Sequence, residues 1–284
     1  MNINWYPGHM KKTREAIEKN LSLVDLVIEL IDARIPYSSQ NPLIDSIVKN
    51  KPRIVVLNKS DLANYESNRR WQDYFSVKGL PTVLLNSVNG KGIDQLMKLA
   101  NIVTEEKRKS YEKRGVINKP IRAMIIGIPN VGKSTLINTL AGRKGAKTGN
   151  KPGVTKSNQW IKTKVNLELL DTPGILWPKF EDKNVGLNLA FTGSIKDEIL
   201  DIETLALNLI EKLIKIAPES LEKRYKIGIN NDTPLDTMIK IGEKRGCIIK
   251  GGEVDYTKVA NIVLDEFRKG IIGNITLELP VIGE

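Results

Sequence analysis

The run Gly-Ile-Pro-Asn-Val-Gly-Lys-Ser at residues 127–134 constrains the fold of this chain more than any other feature. It follows an apolar run at 122–126 and precedes Thr-Leu-Ile-Asn-Thr-Leu-Ala-Gly, which has a helical pattern. Glycines let a backbone wrap closely around an anion, and the first N–H groups of a helix have no intrahelical partner. A glycine-rich turn between a strand and a helix therefore predicts an α/β domain with a phosphate-binding loop.

Further apolar runs predict the sheet around this loop. The predicted strands are Leu26–Ile31, Arg53–Leu57, Thr82–Asn86, Arg122–Ile126 and Leu167–Asp171. Each of the first three precedes a loop and then a helix-like stretch, as expected for parallel strands joined by crossover helices.

The pattern changes to a helical one from residue 183 onward. Apolar residues from Leu200 to Ile214 recur at helical spacing, Thr233 is a typical N-cap, and 255–269 reads as another helix closed by Gly270. The stretch Asn-Ile-Thr-Leu-Glu-Leu at 274–279 has β-type composition. We therefore predict a nucleotide-binding α/β domain at 1–178 and a small all-α C-terminal domain at 179–284.

Composition excludes several classes of protein. The single cysteine, Cys247, excludes a disulfide framework, and with the single histidine, His9, it cannot build a zinc cluster. The first residues lack the apolar core of a secretory signal, and the apolar run at 21–31 is interrupted by Asp25 and Glu29. We expect a cytoplasmic protein with no membrane partner.

Positive charge is concentrated in the first domain. Residues 1–178 carry 29 basic and 15 acidic side chains, against 15 basic and 18 acidic ones in residues 179–284. No acidic residue lies between Glu112 and Glu168, and this stretch holds twelve basic ones. It is either a solvated face or an anion-binding surface; we favour the second interpretation, with RNA as the anion.

A second motif, Asn-Lys-Ser-Asp at 58–61, follows the apolar run that ends at Leu57. The Asp61 carboxylate can accept hydrogen bonds from both the ring N–H and the exocyclic amino group of guanine, a donor pair that adenine lacks. Lys59 would lie over the plane of the base, and Asn58 would hold the loop. With the phosphate loop nearby, this motif predicts binding of GTP and GDP.

A third motif, Asp-Thr-Pro-Gly at 171–174, ends the strand at 167–171 and predicts the sensor of the outer phosphate. Lys133 would reach the outer phosphates and act in catalysis, while the Ser134 hydroxyl and the Asp171 carboxylate would hold Mg²⁺. Gly174 can offer its backbone N–H to the γ-phosphate.

These motifs occur in an unusual order, because the base-reading motif precedes the phosphate-binding ones. In this order the chain resembles the circularly permuted GTPases of the translation-factor-like class. Residues 5–10 and 32–36 are similar to those of the bacterial members that assemble ribosomes. The resemblance implies GTP binding at Asn58, Lys59, Ser60, Asp61, Asn86, Ser87, Asn130, Val131, Gly132, Lys133, Ser134, Thr135 and Gly174.

The same resemblance implies three further roles. Thr155 would complete the coordination of Mg²⁺ in the GTP state. Asn130 either helps to hold K⁺ beside the phosphates or only shapes the loop. Many GTPases place a glutamine where this chain has Ile175, so the resemblance points to His9 as the group that orients water; the alternative is a surface or capping histidine.

From the resemblance we expect an enzyme that hydrolyses GTP slowly alone and faster when the ribosomal subunit stimulates it. It would be a monomer off the ribosome and would promote a late maturation step on the large-subunit precursor, contacting rRNA and ribosomal proteins. Loss of the γ-phosphate would relax Thr155 and Gly174, reorient the helical domain and release or reset the protein. The alternative is a signalling-type GTPase that acts through protein partners without RNA contact.

Overall fold

The structure, a computed structural model, describes residues 15, 17–48, 51–117, 119–142, 159–171 and 182–280. Its described part contains a six-stranded sheet with the strand order β3-β2-β1-β4-β6-β5. The strands are β1 (Leu26–Asp32), β2 (Arg53–Asn58), β3 (Thr82–Leu85), β4 (Ile121–Gly127), β5 (Gln159–Lys162) and β6 (Leu167–Asp171).

All neighbouring strands run parallel except β5 and β6. The five predicted strands are confirmed, each within one residue at either end. The sequence did not predict β5, which has only four residues, two of them polar, and pairs antiparallel at the edge of the sheet. An edge strand of this length carries too little apolar periodicity to stand out from a loop.

Helices join the parallel strands as predicted. Between the strands and after β4 lie α1 (Pro36–Ser39), α2 (Leu43–Val48), α3 (Tyr65–Val77), α4 (Ile93–Val103), α5 (Glu105–Glu112) and α6 (Lys133–Ala141). Every residue of β1 is buried, because helices cover both faces of the sheet at its centre. Leu26, Ile28 and Leu30 belong to the cluster on one face, and Val27 and Ile31 to two smaller clusters on the other.

The region after the sheet is helical, in agreement with the predicted fold class. It consists of α7 (Lys183–Phe191), α8 (Ile202–Ile216), α9 (Pro218–Tyr225), α10 (Pro234–Arg245) and α11 (Tyr256–Arg268). Side chains cap four of these helices: Asp182 caps α7, Asp201 caps α8, Thr233 forms a capping box with Asp236 in α10, and Asp255 caps α11. No helix in the described ranges has the length and apolar composition needed to cross a bilayer.

The apolar core is continuous from the sheet into the helical region, since Leu205, Leu209 and Phe267 belong to the same cluster as Leu30. The predicted domain boundary after residue 178 lies outside the described residues and stays a prediction.

The prediction of a β-type stretch at 274–279 is wrong, because these residues form no strand. They run back over the α/β part as an extended segment. The Ile275 N–H donates to the carbonyl of Leu62 over 3.1 Å, and the Leu277 N–H donates to the carbonyl of Arg34 over 2.7 Å. We call residues 271–280 the C-terminal strap. Its β-type composition reflects burial against the α/β part. Isolated backbone hydrogen bonds hold it there, and it does not form the ladder of bonds that joins paired strands.

Candidate nucleotide-binding site

The register of the sheet brings the predicted loops to one edge. Asp32 lies beside Asn58, Asn58 beside Leu85, and Leu30 beside Gly127. The loops that follow β1, β2, β3 and β4 therefore emerge next to one another, at the carboxyl edge where open α/β sheets bind ligands.

The phosphate loop turns from β4 directly into α6. Gly132 begins the helix with φ +107°, and a Cβ added there would lie 2.3 Å from the Asn58 Nδ2 atom, so this position needs glycine. The buried Lys133 ammonium donates to the carbonyls of Gly127 (3.0 Å) and Ile128 (2.8 Å). The loop therefore encloses the positive charge of Lys133, at the place where a phosphate would bind.

Asn58 links three of the loops. Its side-chain Nδ2 donates to the carbonyl of Val131 in the phosphate loop over 2.7 Å. Its Oδ1 accepts from the Ser87 N–H (3.1 Å) and the Ser87 hydroxyl (2.7 Å). Because Asn58 is buried and satisfied at both ends, it fixes the loop after β2 against the loops after β3 and β4.

The loop that contains Asn86 and Ser87 is held by further bonds. The Asn86 Oδ1 accepts from the N–H groups of Val88 (2.8 Å) and Asn89 (3.2 Å), and the Thr139 hydroxyl donates to the Ser87 carbonyl over 2.7 Å. These bonds fix the backbone groups that we expect to face the base.

The remaining residues of the 58–61 motif take different positions. Lys59 has φ +58°, and its Nζ donates to the carbonyl of Asn130 over 2.8 Å. The Ser60 N–H donates to the carbonyl of Leu85 over 3.2 Å, which closes the loop. Asp61 is exposed, so its carboxylate is accessible to a ligand.

Sequence reasoning gave no role to Asp32, which lies at the centre of this edge. This buried carboxylate accepts from Lys59 Nζ over 2.9 Å at Oδ2 and from Arg34 at both oxygens. Burial raises the pKa of Asp32, but the charges of Arg34 and Lys59 outweigh burial and hold it well below its usual value. The sequence did contain a signal for Asp32. It is an acidic residue at the end of a predicted strand, and the base-reading motif lies at the end of the next strand.

Several predicted residues cannot be placed. His9, Thr155 and Gly174 lie outside the described residues, as does the side chain of Asp171, so their roles stay predictions. Ser134 and Thr135 are half-buried and lie in the first turn of α6, at the N-terminal end of the helix.

The site also contacts the helical region. The Asn130 side chain donates from Nδ2 to the carbonyl of Gly193, just after α7, over 2.7 Å. A residue of the phosphate loop is thus bonded directly to the helical region.

Comparison with known proteins identifies the family. Residues 122–237 match the family described as 50S ribosome-binding GTPase. The protein named ribosome biogenesis GTPase A in Bacillus licheniformis is 47% identical over 280 residues, which cover 99% of this chain and 99% of that protein. Its counterpart in Priestia megaterium is 49% identical over 282 residues, which cover 99% and 98% of the two chains. The chain belongs to the ribosome biogenesis GTPase A family.

Solved structures agree with this family. The GDP-bound structure of YlqF superposes with a TM-score of 0.64 at 26% identity, covering 93% of this chain and 99% of that one. The GNP-bound structure of YlqF from T. maritima gives 0.63 at 25% identity, covering 95% and 98%. The predicted fold class is therefore confirmed, including the permuted order in which the base-reading loop precedes the phosphate loop.

Membership of the ribosome biogenesis GTPase A family confirms two functional predictions. The chain is a GTPase, and it acts in ribosome assembly. GTPases of this kind generally use Mg²⁺.

Proposed function

We propose that this GTPase binds the precursor of the large ribosomal subunit in the cytoplasm, as a monomer off the ribosome. It promotes a late maturation step there, and GTP hydrolysis releases or resets it. The observation that carries this proposal is the likeness to ribosome biogenesis GTPase A over 99% of the chain, sheet and helical region together. The family described as 50S ribosome-binding GTPase supports the choice of subunit.

Cosedimentation with large subunits tests the proposal in the apo, GDP and GTP-analogue states. We expect strong binding with the GTP analogue, weak binding with GDP, and affinity that falls steeply with salt if phosphate contacts dominate. A shallow salt dependence would favour the alternative, a switch that acts through protein partners.

The basic stretch offers a sharper version of this test. Lys113, Arg114, Lys162 and Lys164 are exposed and belong to the acid-free stretch. Replacing Lys162 and Lys164 together by Glu should weaken binding to large subunits and reduce the salt slope. The matched control is Lys215→Glu in α8, an exposed lysine outside that stretch, which should bind like the wild type.

We propose that the 58–61 loop reads guanine through Asp61. Support comes from the exposed carboxylate and from the bonds that hold the loop around it. Asp61→Asn replaces one acceptor by a donor, so it should weaken GDP binding by about a hundredfold or more and improve binding of xanthosine diphosphate. Equal affinities of wild type and variant for GDP would contradict the assignment.

We propose that Ser134, Thr155 and Asp171 hold Mg²⁺ between the phosphates and the protein. Hydroxyl and carboxylate oxygens are the ligands that Mg²⁺ prefers, and Ser134 lies in the first turn of α6, beside the phosphate loop. Bound Mg²⁺ supplies charge neutralisation at the phosphates. Ser134→Ala should weaken the dependence of nucleotide affinity on Mg²⁺ concentration.

The sequence assigns two further roles that need separate tests. If K⁺ binds beside Asn130, turnover should be faster in K⁺ than in Na⁺ at equal ionic strength, and Asn130→Ala should remove the difference. If His9 orients the attacking water, His9→Ala should keep GTP affinity and lose turnover, with and without large subunits. Unchanged stimulated turnover in that variant would exclude the catalytic role of His9.

A further inference from the structure

Three charged groups, the buried Asp32 and Arg34 and the half-buried Lys59, connect the base-reading loop to the helical region. Asp32 is 1% exposed and lies at the end of β1, beside Asn58 in the register of the sheet. Its Oδ2 accepts from Lys59 Nζ over 2.9 Å and from Arg34 Nη2 over 2.7 Å. Its Oδ1 accepts from Arg34 Nε over 2.9 Å and from the Arg34 N–H over 3.1 Å.

Arg34 continues this network into the C-terminal part of the chain. It is 1% exposed, and its Nη1 donates to the carbonyl of Arg268, at the end of α11, over 3.1 Å. Its guanidinium lies 5.6 Å from the centre of the Phe267 ring, and its own carbonyl accepts from Leu277 in the C-terminal strap over 2.7 Å. One arginine thus holds both the last turn of α11 and the strap.

The far end of the network reaches α7. The Arg268 side chain donates from Nε to the carbonyl of Phe191 (3.0 Å) and from Nη2 to that of Ala190 (2.9 Å), and it pairs with Asp197. The segment after α7 is also the one that Asn130 of the phosphate loop contacts. The network therefore begins and ends at groups that touch the nucleotide-binding loops.

We propose that Asp32 is a positioning residue for the guanine nucleotide, which holds the Lys59 side chain against the base and, through Arg34, couples nucleotide binding to the seating of α11 and the strap. Burial of the Asp32 carboxylate costs desolvation energy, which its contacts with the buried Arg34 and the half-buried Lys59 offset. Truncating it would leave Lys59 with a single acceptor, the carbonyl of Asn130, among the contacts described above. The proposal rests on the base-binding role of residues 58–61.

A double-mutant cycle tests the positioning role, with N-methylanthraniloyl-GDP as the probe and the full chain as the protein. Asp32→Asn should weaken binding about tenfold, the size expected for one charged hydrogen bond. In a Lys59→Met background the same change should alter affinity less than about twofold, because Asp32 acts through Lys59. Equal effects of Asp32→Asn in both backgrounds would overturn the proposal.

Asp25→Asn is the matched control for general loss of stability. Asp25 is also a buried carboxylate, but it lies at the opposite edge of the sheet, where it accepts from the Arg122 N–H over 3.0 Å and pairs with Lys107. It should leave GDP affinity unchanged within about twofold. A tenfold loss in this variant too would assign the effect of Asp32→Asn to stability and overturn the proposal.

Hydrogen exchange tests the coupling without relying on the folding of Asp32→Asn. In the wild type, saturating GDP should slow exchange at the amides of Ile275 and Leu277 in the strap. Lys59→Met should reduce this effect at saturating GDP. Strap exchange that does not respond to GDP in the wild type would overturn the coupling.

The outcome for Asp61→Asn separates this proposal from the base-binding assignment on which it rests. If Asp61→Asn leaves GDP affinity intact, the base-binding assignment fails. If Asp61→Asn weakens binding but Asp32→Asn does not, only the role of Asp32 fails.

Discussion

Glu29 provides the sharpest quantitative test of the fold. It lies in the middle of β1, buried between the two smaller apolar clusters, and neither of its carboxylate oxygens has a hydrogen-bond partner among the described residues. Arg53 Nη1 approaches within 3.3 Å but lies closer to Asp45, at 2.6 Å. Burial raises the pKa of Glu29 from 4.5 to about 7, against the opposing effect of Arg53.

The sign of the pH dependence follows from this direction. Because the folded protein holds the Glu29 proton more tightly than the unfolded chain does, the stabilising contribution is complete below pH 4.5 and is lost as the pH rises toward 7. Applying linkage to these two pKa values, the free energy of unfolding should fall by about 2–3 kcal/mol between pH 5 and pH 8 through Glu29 alone.

Glu29→Gln isolates this contribution, since an amide of the same shape does not titrate. In urea unfolding at pH 5, 6, 7 and 8, the stability of the variant relative to the wild type should rise by about 2–3 kcal/mol across that range. The matched control is Glu105→Gln. The exposed Glu105 carboxylate has its pKa lowered by Lys109, so the difference in unfolding free energy between this variant and the wild type should stay constant between pH 6 and pH 8. Parallel wild-type and Glu29→Gln profiles would refute the reasoning.

Three further predictions concern the site and the C-terminal strap. Gly132→Ala should abolish fluorescent-GDP binding, because the left-handed backbone costs about 1–3 kcal/mol and the new Cβ displaces Asn58. Glu278→Ala removes the nearer of two acceptors of Asn188 Nδ2 (2.7 Å), so limited proteolysis should cleave the strap faster than in the wild type. Trp71→Phe loses the bond from Nε1 to the Glu278 carbonyl (3.1 Å). It should lower the free energy of unfolding, measured in urea, by about 1–2 kcal/mol.

The sequence predicted those parts of the fold that depend on local pattern. Strand β1 was visible as a short apolar run with Glu29 as its one polar residue before Asp32, and α10 was visible because Thr233 and Asp236 form a capping box within four residues. The loops at 58–61 and 127–134 stood out because each motif is compact in sequence, and their roles in binding the base and the phosphates stay predictions.

The parts that escaped prediction depend on register and on distant contacts. The pairing of Asp32 with Lys59 joins residues 27 positions apart, and only the alignment of β1 with β2 makes it visible. The C-terminal strap is held by Arg34 and Leu62, more than 200 residues away in the chain. The apolar residues of such a segment recur with neither the helical nor the strand period, because their positions depend on the surface that the segment covers.

The position of the strap limits how the helical region can move when GTP is hydrolysed. In the permuted order the helical region follows the predicted phosphate sensor along the chain, so we expect loss of the γ-phosphate to act on its first residues. Its last residues, however, are bonded to the base-reading side, through the Leu277 N–H to Arg34 and the Ile275 N–H to Leu62.

A rigid-body rotation of the whole helical region would break these backbone bonds and expose more of the half-buried Glu278 carboxylate, which also accepts from the Ser38 N–H over 3.0 Å. Movement about the strap, with the end of α7 leaving Asn130, keeps the backbone bonds and breaks side-chain bonds instead, among them those from Arg268 to the carbonyls of Phe191 and Ala190. We expect the strap to stay in place because its backbone bonds tie it to the α/β part, so small-angle scattering should show only a small change between the GDP and GTP-analogue states. A large change in the radius of gyration would show that the strap itself detaches.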